Sequence, residues 1–445
     1  MRKAPLLLAL GVLLLAACDS GSEGGRPTTE PSRATAPERT RVREAEETGP
    51  EVSRTGLLEH LRALQAIADL GGGNRAAGTG GYRSSVRYVA ARLREAGWRV
   101  RLQPVSFPFF RQRSVRLEAP GRRLRPGRDF RVMSFSGGGR AAGPVQTAGL
   151  GCERNDYEGL DRGGVTLVRR GDCFFRTKAL TAQRSGAGGL ILVDPALRGE
   201  PFSATLSGPG VRIPVVVLGS ESARVIRPGA RVRLAVDAVS ERRVDENVIA
   251  ETREGSGGRV VMAGAHLDSV PAGPGINDNG SGTAALLEAA EALGSRPPGA
   301  RVRLAFWAAE ELGLYGSRRY VRSLSARNRD RIAGYVNLDM VGSRNAVREV
   351  YAGSVPIERA LRRALAHPAG RQRMGGSSDH APFRRAGIPV NGLYTGAAER
   401  APDGRPRDPC YHRRCDTIQN VRPTVLLEMA RAAAEALGDL SRQAR

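Results

Sequence analysis

Residues 260–282 read V-V-M-A-G-A-H-L-D-S-V-P-A-G-P-G-I-N-D-N-G-S-G, an apolar run followed by a loop that contains a histidine and two acids. The run predicts a buried β-strand that ends at His266 and Asp268. Asp278 lies between two asparagines, just before apolar residues at helical spacing. Imidazole nitrogen and carboxylate oxygen are ligands that a catalytic zinc takes. The stretch therefore predicts a metal site at the edge of a sheet.

Asp268 is two residues after His266, and strand alternation would send both side chains to the same face. A ligating imidazole usually donates its other N–H to a carboxylate, which fixes the ring. We therefore expect the Asp268 carboxylate to orient His266. The carboxylate of Asp278 could bridge two cations. Taken alone, the H-x-D pattern is also typical of a core histidine beside a turn acid.

Later strand ends carry further metal-ligating residues. A second apolar run ends on the adjacent acids Glu310 and Glu311. In an extended segment these point apart, so one can ligate a metal while the other faces the attacking water. A third run ends on Asp339, and His412 supplies a second imidazole. Such side chains are expected outside the carboxyl edge of an α/β sheet.

Six motifs, taken in order, resemble those of the secreted co-catalytic di-zinc aminopeptidases, relatives of the transferrin-receptor and glutamate-carboxypeptidase ectodomains. The resemblance implies an α/β fold of the zinc-exopeptidase type, with a mixed central sheet flanked by helices. The motifs are H-L-D-S (266–269), N-D-N-G-S-G (277–282), W-A-A-E-E-L-G-L-Y-G-S (307–317), N-L-D-M-V-G (337–342), S-D-H-A-P-F (378–383) and D-P-C-Y-H-R-R-C-D-T (408–417).

Carried over position by position, the resemblance implies that each chain binds two Zn²⁺ ions and that five of its residues are the ligands. Asp278 would bridge both ions. His266 and Asp339 would hold one ion, and Glu311 and His412 would hold the other.

The resemblance also implies roles in catalysis. Glu310 would be the general base, Tyr411 the donor to the oxyanion, and the substrate α-amine would pair with Glu310 and Asp339. Asp379 and His380 fall in the family's substrate-pocket segment. An alternative remains open for these two residues, namely that they cap the turn and helix that follow.

Residues 103–242 contain short β-runs with many glycines and prolines and no candidate catalytic pair. Predicted strands are 165–168, 189–193 and 215–218, with a helix at 177–186. The run G-V-T-L-V-R-R-G-D-C-F-F-R-T-K-A (164–179) resembles the protease-associated (PA) domain, a non-catalytic insertion thought to cover or restrict the cleft. The insertion divides the predicted peptidase domain into residues 52–102 and 243–445.

The N-terminus predicts export. A basic start and a short apolar run in residues 1–18 are typical of a signal peptide. The sequence L-A-A-C resembles a bacterial lipobox, which implies a lipid on Cys18 and anchoring on the outer face of the bacterial cell membrane. The alternative is an ordinary secretory signal and a secreted protein. Residues 19–51 have almost nothing apolar to bury and predict a disordered linker.

Cysteine usage agrees with an oxidising compartment, because four cysteines remain after Cys18. Among the three possible connectivities we favour Cys152 with Cys173 and Cys410 with Cys415. A competing interpretation makes Cys410, Cys415 and the intervening histidine a separate zinc site, although it lacks a fourth ligand.

The net charge is +24, from 69 basic and 45 acidic residues, and Lys3 and Lys178 are the only lysines. The arginines are scattered and no aromatic residues interleave a basic stripe, so we predict no nucleic-acid partner. Attraction to anionic lipid head groups is a weaker alternative. His60 and His367 have no acid–histidine neighbours and are predicted on the surface.

These features together predict a zinc-dependent aminopeptidase that releases N-terminal residues, expected to be apolar, from peptides with a free N-terminus. Three alternatives stay open. They are a carboxypeptidase-type relative, in which an arginine cluster receives the terminal carboxylate, a catalytically silent binding lipoprotein, and a mono-zinc glutaminyl cyclase of the same fold.

Overall fold

The computed structural model describes residues 51–294, 299–370 and 372–444. The predicted signal peptide, the lipidation site Cys18 and the predicted linker up to residue 50 lie outside the described residues. No helix in the described ranges combines the length and apolar character that crossing a membrane requires.

Ten α-helices lie in the described ranges. They are α1 (Arg54–Leu70), α2 (Gly80–Glu95), α3 (Phe175–Arg184), α4 (Ser220–Val225), α5 (Gly282–Leu293), α6 (Tyr315–Arg322), α7 (Ala326–Asp330), α8 (Val355–Ala364), α9 (His380–Arg385) and α10 (Pro423–Gln443). Short 3₁₀ turns are at Arg154–Tyr157 and Ile418–Asn420, and a π turn spans Ile276–Ser281.

Thirteen strands are described. They are β1 (Arg99–Ala119), β2 (Arg122–Arg123), β3 (Phe130–Val132), β4 (Gly139–Thr147), β5 (Val165–Arg169), β6 (Gly189–Val193), β7 (Val215–Leu218), β8 (Arg231–Glu251), β9 (Ser256–His266), β10 (Ala300–Trp307), β11 (Ile332–Leu338), β12 (Glu349–Val350) and β13 (Val390–Tyr394).

The central sheet has the order β12-β13-β11-β9-β10-β8-β1. Strands β13, β11, β9 and β10 are parallel, whereas β12, β8 and β1 each pair antiparallel with their neighbour. The sheet is therefore mixed, which confirms the predicted fold class. Because the four parallel strands share one direction, their carboxyl ends meet at one edge.

Both faces of the sheet are covered, as the apolar strands require. In β10, Val302, Leu304 and Phe306 pack in the core formed with α1, α2, α5, α8 and α10. The alternate residues Ala305 and Trp307 pack on the opposite face, against α6 and α9. This period of two gives a three-layer arrangement of helices, sheet and helices.

The long strands β1 and β8 link the central sheet to the insertion. They pair continuously from Arg99↔Glu251 to Glu118↔Arg233, apart from one irregularity near Gln112. β1 is this long because β8 pairs with it along its length. The predicted domain limits at 102/103 and 242/243 fall inside this ribbon and stay predictions.

In the insertion, β4, β5, β6 and β7 are parallel neighbours and β3 closes the edge. β4 also pairs antiparallel with β8, so these strands continue the order of the central sheet. The three strands predicted here are confirmed, and the predicted helix is α3. The apolar residues of the insertion pack in two clusters separate from the main core. The predicted Cys152–Cys173 disulfide is present within the insertion.

Candidate metal centre and active site

The carboxyl ends of β9, β10 and β11 open into a cavity of about 740 Å³. β9 ends on a histidine, and acids follow directly after β11 and three residues after β10. The π turn before α5 and the loop before α10 complete the wall. The predicted ligands and base all line this cavity, namely His266, Asp278, Glu310, Glu311, Asp339 and His412.

The predicted ligands form two overlapping groups that share Asp278. The Nε2 atom of His266 lies 3.2 Å from Asp278 Oδ1 and 3.3 Å from Asp339 Oδ1. The Nε2 atom of His412 lies 3.2 Å from Asp278 Oδ2 and 3.2 Å from Glu311 Oε2. Asp278 thus presents one oxygen to each imidazole, which is the arrangement a bridging carboxylate needs.

These distances fit zinc. Bonds of about 2.0–2.2 Å in a tetrahedron separate neighbouring ligand atoms by roughly 3.3–3.6 Å. The buried Oε1 atom of Glu311 has no hydrogen-bond partner within the described part of the chain. Two sets of one imidazole and two carboxylates, sharing one carboxylate, are donors suited to two divalent cations.

The electrostatics of the cluster also favour cations. Hydrogen bonds to Asp278 and Glu311 raise the pKa of His412 to about 10. Burial lowers the pKa of His266, but neighbouring carboxylates, Asp339 foremost, outweigh this effect and raise it well above the ordinary value. Burial raises the pKa of Glu311 to about 7. A divalent cation would take the place of the protons that these groups otherwise hold.

Asp268 does not orient His266 in the predicted way. His266 Nδ1 lies 3.0 Å from the main-chain oxygen of Asp268, whereas the nearest carboxylate oxygen is 3.8 Å away. The strand ends at His266, so period-two alternation does not extend to Asp268. The ring still has a main-chain acceptor for its second nitrogen.

The carboxylate of Asp268 holds the segment after β10 instead. It accepts the main-chain N–H of Glu310 at 3.0 Å and that of Glu311 at 3.3 Å. The two acids were expected on an extended segment, but Ala309 has φ +52° and the chain bends there. Their directions are therefore set by this bend and by Asp268, which is fully buried.

Asp339 is held by a chain of hydrogen bonds that the sequence did not indicate. Trp307 Nε1 donates to the Tyr335 hydroxyl at 2.8 Å, and that hydroxyl donates to Asn337 Oδ1 at 3.0 Å. Asn337 Nδ2 donates to Ser378 Oγ at 2.9 Å, and Ser378 Oγ donates to Asp339 Oδ2 at 2.6 Å. A fully connected buried chain of this kind fixes the orientation of the acid at its end.

Arg75 holds the loop between His266 and Asp278, and it was also missed. Its guanidinium is fully buried and donates to the main-chain oxygens of Leu267, Pro274 and Gly275. In the sequence this arginine follows a glycine-rich turn at residues 71–73, directly after α1. Its one signal was a cation next to that turn, which does not reveal a partner almost two hundred residues away.

Asp416 anchors the main chain on the other side. Its carboxylate accepts the N–H groups of Asn277 at 2.9 Å and Asp278 at 3.0 Å, and the side-chain amide of Asn420 at 3.0 Å. Burial raises the pKa of Asp416 to about 7. Its place in the last quoted motif was a signal that could have found it.

The comparisons with known proteins agree with this geometry. The profile of Peptidase family M28 matches residues 247–437, and that of the PA domain matches residues 141–226. An aminopeptidase of Pseudomonas aeruginosa is 35% identical over 84% of this chain and 78% of its own length. The chain belongs to peptidase family M28. The predicted family, the inserted PA domain and the peptidase hydrolase class are confirmed.

Two other relatives cover nearly the whole fold. The probable lipoprotein aminopeptidase LpqL of Mycobacterium tuberculosis is 37% identical, covering 87% of this chain and 85% of that protein. BSAP, a zinc aminopeptidase from Bacillus subtilis, is 28% identical and superposes with a TM-score of 0.62, covering 88% of this chain and 95% of that structure. Zinc is thus the metal that a relative of the same fold carries.

In this M28 chain the loop bearing His412 is closed by the predicted Cys410–Cys415 disulfide. A separate zinc site on those cysteines is therefore wrong, because both thiols are used in the bond. Tyr411 lines the cavity, and its ring stacks on His412 with centroids 3.9 Å apart. Burial raises the pKa of Tyr411, so its hydroxyl stays protonated and can donate a hydrogen bond.

The structure separates the two residues predicted in the M28 substrate pocket. His380 lines the cavity, and its Nε2 lies 2.9 Å from the main-chain oxygen of Gly375. Asp379 is fully buried, does not line the cavity and makes no capping hydrogen bond to α9. The capping alternative is therefore wrong for the Asp379 side chain, and its contact with substrate stays a prediction.

His60 was predicted on the surface, and this is wrong. It is only 2% exposed, because it follows Leu57 on the face of α1 that packs in the core. Its Nδ1 lies 2.7 Å from the Tyr88 hydroxyl, and burial lowers its pKa to about 4. His367 is exposed, as predicted.

Proposed function

We propose that this M28 peptidase is a two-zinc aminopeptidase that releases the first residue of peptides. The observation that carries the proposal is the position of Asp278 between two imidazoles, each beside a second carboxylate. His266, Asp278 and Asp339 would hold one ion. Asp278, Glu311 and His412 would hold the other. The M28 relatives named aminopeptidases support the same activity.

Two zinc ions in these positions would activate water and polarise the scissile carbonyl. Glu310 would accept a proton from the attacking water on its carboxylate and pass it to the leaving amine nitrogen. Burial and nearby carboxylates raise the pKa of Glu310 well above its ordinary value, which suits a group that must hold a proton between two steps. Asp268 would keep Glu310 in place through its main-chain N–H.

Binding would restrict cleavage to the N-terminal residue. The carboxylates of Glu310 and Asp339 would pair with the free α-amine, and the Tyr411 hydroxyl would donate a hydrogen bond to the carbonyl oxygen as charge builds there. His380 would contact the substrate from the cavity wall. Leu314, lying at the same wall, would contribute apolar contact for the first side chain.

We also propose that the protein acts outside the cytoplasm. Its two disulfides suit an oxidising compartment. The relative LpqL is named a lipoprotein, which supports a lipid on Cys18 and attachment to the outer face of the cell membrane. Secretion without a lipid is the alternative, and mass spectrometry of the exported chain distinguishes the two.

Replacing the proposed base tests the mechanism. Glu310→Gln should keep bound zinc but lower turnover of aminoacyl p-nitroanilides by about 100- to 10,000-fold, the usual contribution of a general base. The exposed Glu435→Gln on α10 is a matched control for loss of one carboxylate. Full activity of Glu310→Gln would contradict the role given to this acid.

A carboxypeptidase-type activity is the second candidate, because two arginines line the cavity. Arg318 and Arg373 are exposed there, and neither forms an ion pair with any residue in the described ranges. Guanidinium groups receive carboxylates well. Substrates blocked at either end distinguish the candidates, since an aminopeptidase needs only the free N-terminus. Cleavage of N-blocked substrates alone would favour the second candidate.

A further inference from the structure

A second cavity, of about 580 Å³, lies at the opposite end of the parallel strands from the metal ligands. Arg301 and Arg303 line it from the first half of β10, whereas Glu310 comes after the last residue of that strand. Arg331 lines it from just before β11, whereas Asp339 directly follows β11. The cavity is therefore outside the catalytic site.

Four arginines of this cavity come from two copies of one pattern, and a third copy at 231–234 lies outside the cavity. R-V-R-L begins at Arg99 in β1 and again at Arg301 in β10. Alternation places the first and third residues of each pattern on the same face. In the sheet, Glu251 of β8 is paired with Arg99 on one side and with Arg303 on the other. Two pairs of arginines thus flank a single carboxylate.

That carboxylate is shared among three guanidinium groups. The Oε1 atom of Glu251 lies 3.0 Å from Arg301 Nη1 and 3.8 Å from Arg99 Nη2. The Oε2 atom lies 2.7 Å from Arg303 Nε. Arg101 makes no ion pair or side-chain hydrogen bond with the residues that the structure describes. Five arginines and one glutamate line the cavity, which leaves a formal charge of +4.

We propose that this cavity binds a phosphate group. Like charges a few ångströms apart repel one another, and a bound anion removes that repulsion. The planar guanidinium fork matches the oxygens of phosphate and binds them in pairs. The Asn328 side chain also lines the cavity and adds a neutral hydrogen-bonding group.

Two sources can supply this chemistry, a phospholipid head group and free inorganic phosphate. A chain carrying a lipid on Cys18 would meet head groups continuously. Head groups bound at this end of the sheet would turn the carboxyl edge, with its metal ligands, away from the membrane. The two sources are separated by the experiment.

The experiment compares two double variants of the full chain in a Cys18→Ser background, which cannot be acylated. Arg99→Gln with Arg101→Gln removes two cavity arginines and keeps the Arg303–Glu251 pair. Arg111→Gln with Arg113→Gln, on the same strand but outside the cavity, is the matched control. Co-sedimentation uses phosphatidylcholine vesicles with and without phosphatidylglycerol. Thermal unfolding is measured in inorganic phosphate and in chloride of equal ionic strength.

The cavity variant should lose about tenfold or more in binding to phosphatidylglycerol vesicles, or lose the stabilisation by inorganic phosphate, while the control variant keeps both. Loss of vesicle binding alone identifies the head group, and loss of the phosphate effect alone identifies free phosphate. Equal loss in both variants, a cavity variant that keeps both effects, or a parent protein that shows neither phosphatidylglycerol-dependent vesicle binding nor stabilisation by inorganic phosphate would overturn the proposal. Unchanged unfolding midpoints in chloride confirm that both variants fold.

Discussion

Arg75 is a buried cation that acts through main-chain oxygens rather than through a single acid. It spans the loop that separates His266 from Asp278 and donates to three of its carbonyl groups. Burial lowers its pKa to about 10, and the neighbouring carboxylates of Asp268 and Asp416 oppose that change. Arg75 therefore stays charged at neutral pH and positions two of the proposed ligands.

Arg75→Met should lower the free energy of unfolding by at least about 3 kcal/mol, because several buried carbonyl groups lose their donor. The loop would relax, so zinc affinity should also fall. Denaturant unfolding and zinc titration measure the two effects. The exposed Arg94→Met on α2 should change stability by less than about 0.5 kcal/mol. Equal, small effects for both variants would show that Arg75 does not position the loop.

At the scale of elements, the two disulfides close loops of different size and purpose. Cys152 and Cys173 are 21 residues apart within the insertion. Cys410 and Cys415 are only 5 residues apart and enclose His412, whose φ of +58° is unfavourable for a residue with a Cβ. The short loop holds this histidine in a conformation that a free segment would leave.

Replacing each disulfide by serines should therefore have different effects. Cys410→Ser with Cys415→Ser should weaken binding of one zinc ion by about 10- to 100-fold and lower turnover, because His412 loses its support. Cys152→Ser with Cys173→Ser should lower stability by about 3 kcal/mol but preserve turnover per folded molecule. Zinc titration and urea unfolding check both. Retained zinc affinity in the first variant would contradict the role of the loop.

At the scale of the whole molecule, the proposed ligands join distant segments of the chain. His266, Asp278, Glu311, Asp339 and His412 come from the ends of three strands, a turn and a loop. Any ion that binds the folded state but not the unfolded chain stabilises the fold by mass action. Metal binding should therefore stabilise the peptidase core and not only its cavity.

Chelation should lower the unfolding midpoint by several degrees and abolish turnover, since zinc at about 100 times its Kd adds about 2.7 kcal/mol. Two equivalents of zinc should restore both. The double variant Glu311→Ala with His412→Ala should bind one zinc ion per chain instead of two.

Zinc affinity should fall as the pH is lowered, because protons compete with zinc for His412, whose pKa without metal is raised to about 10. Elemental analysis giving fewer than two ions in active protein would contradict the two-ion proposal.

Much of this fold follows from local patterns in the sequence. The apolar run of β9 and the helical spacing in α5 are set by residues close together in the chain. The predicted strands 165–168, 189–193 and 215–218 match the structure within one residue. His266 and the acids that follow β10 and β11 gather at one edge because these parallel strands share a direction. The set of candidate ligands could therefore be predicted without coordinates.

Tertiary contacts decided what lies around those ligands. Asp268 turns its carboxylate to the N–H groups of Glu310 and Glu311 because the strand ends before it. Arg75, Ser378 and Asp416 reach the site from remote segments, and the buried His60 faces the core. Four of the five arginines of the second cavity meet through the register of three strands. Local sequence sets which residues alternate or coil together, whereas a hydrogen bond between remote segments depends on how the whole chain packs.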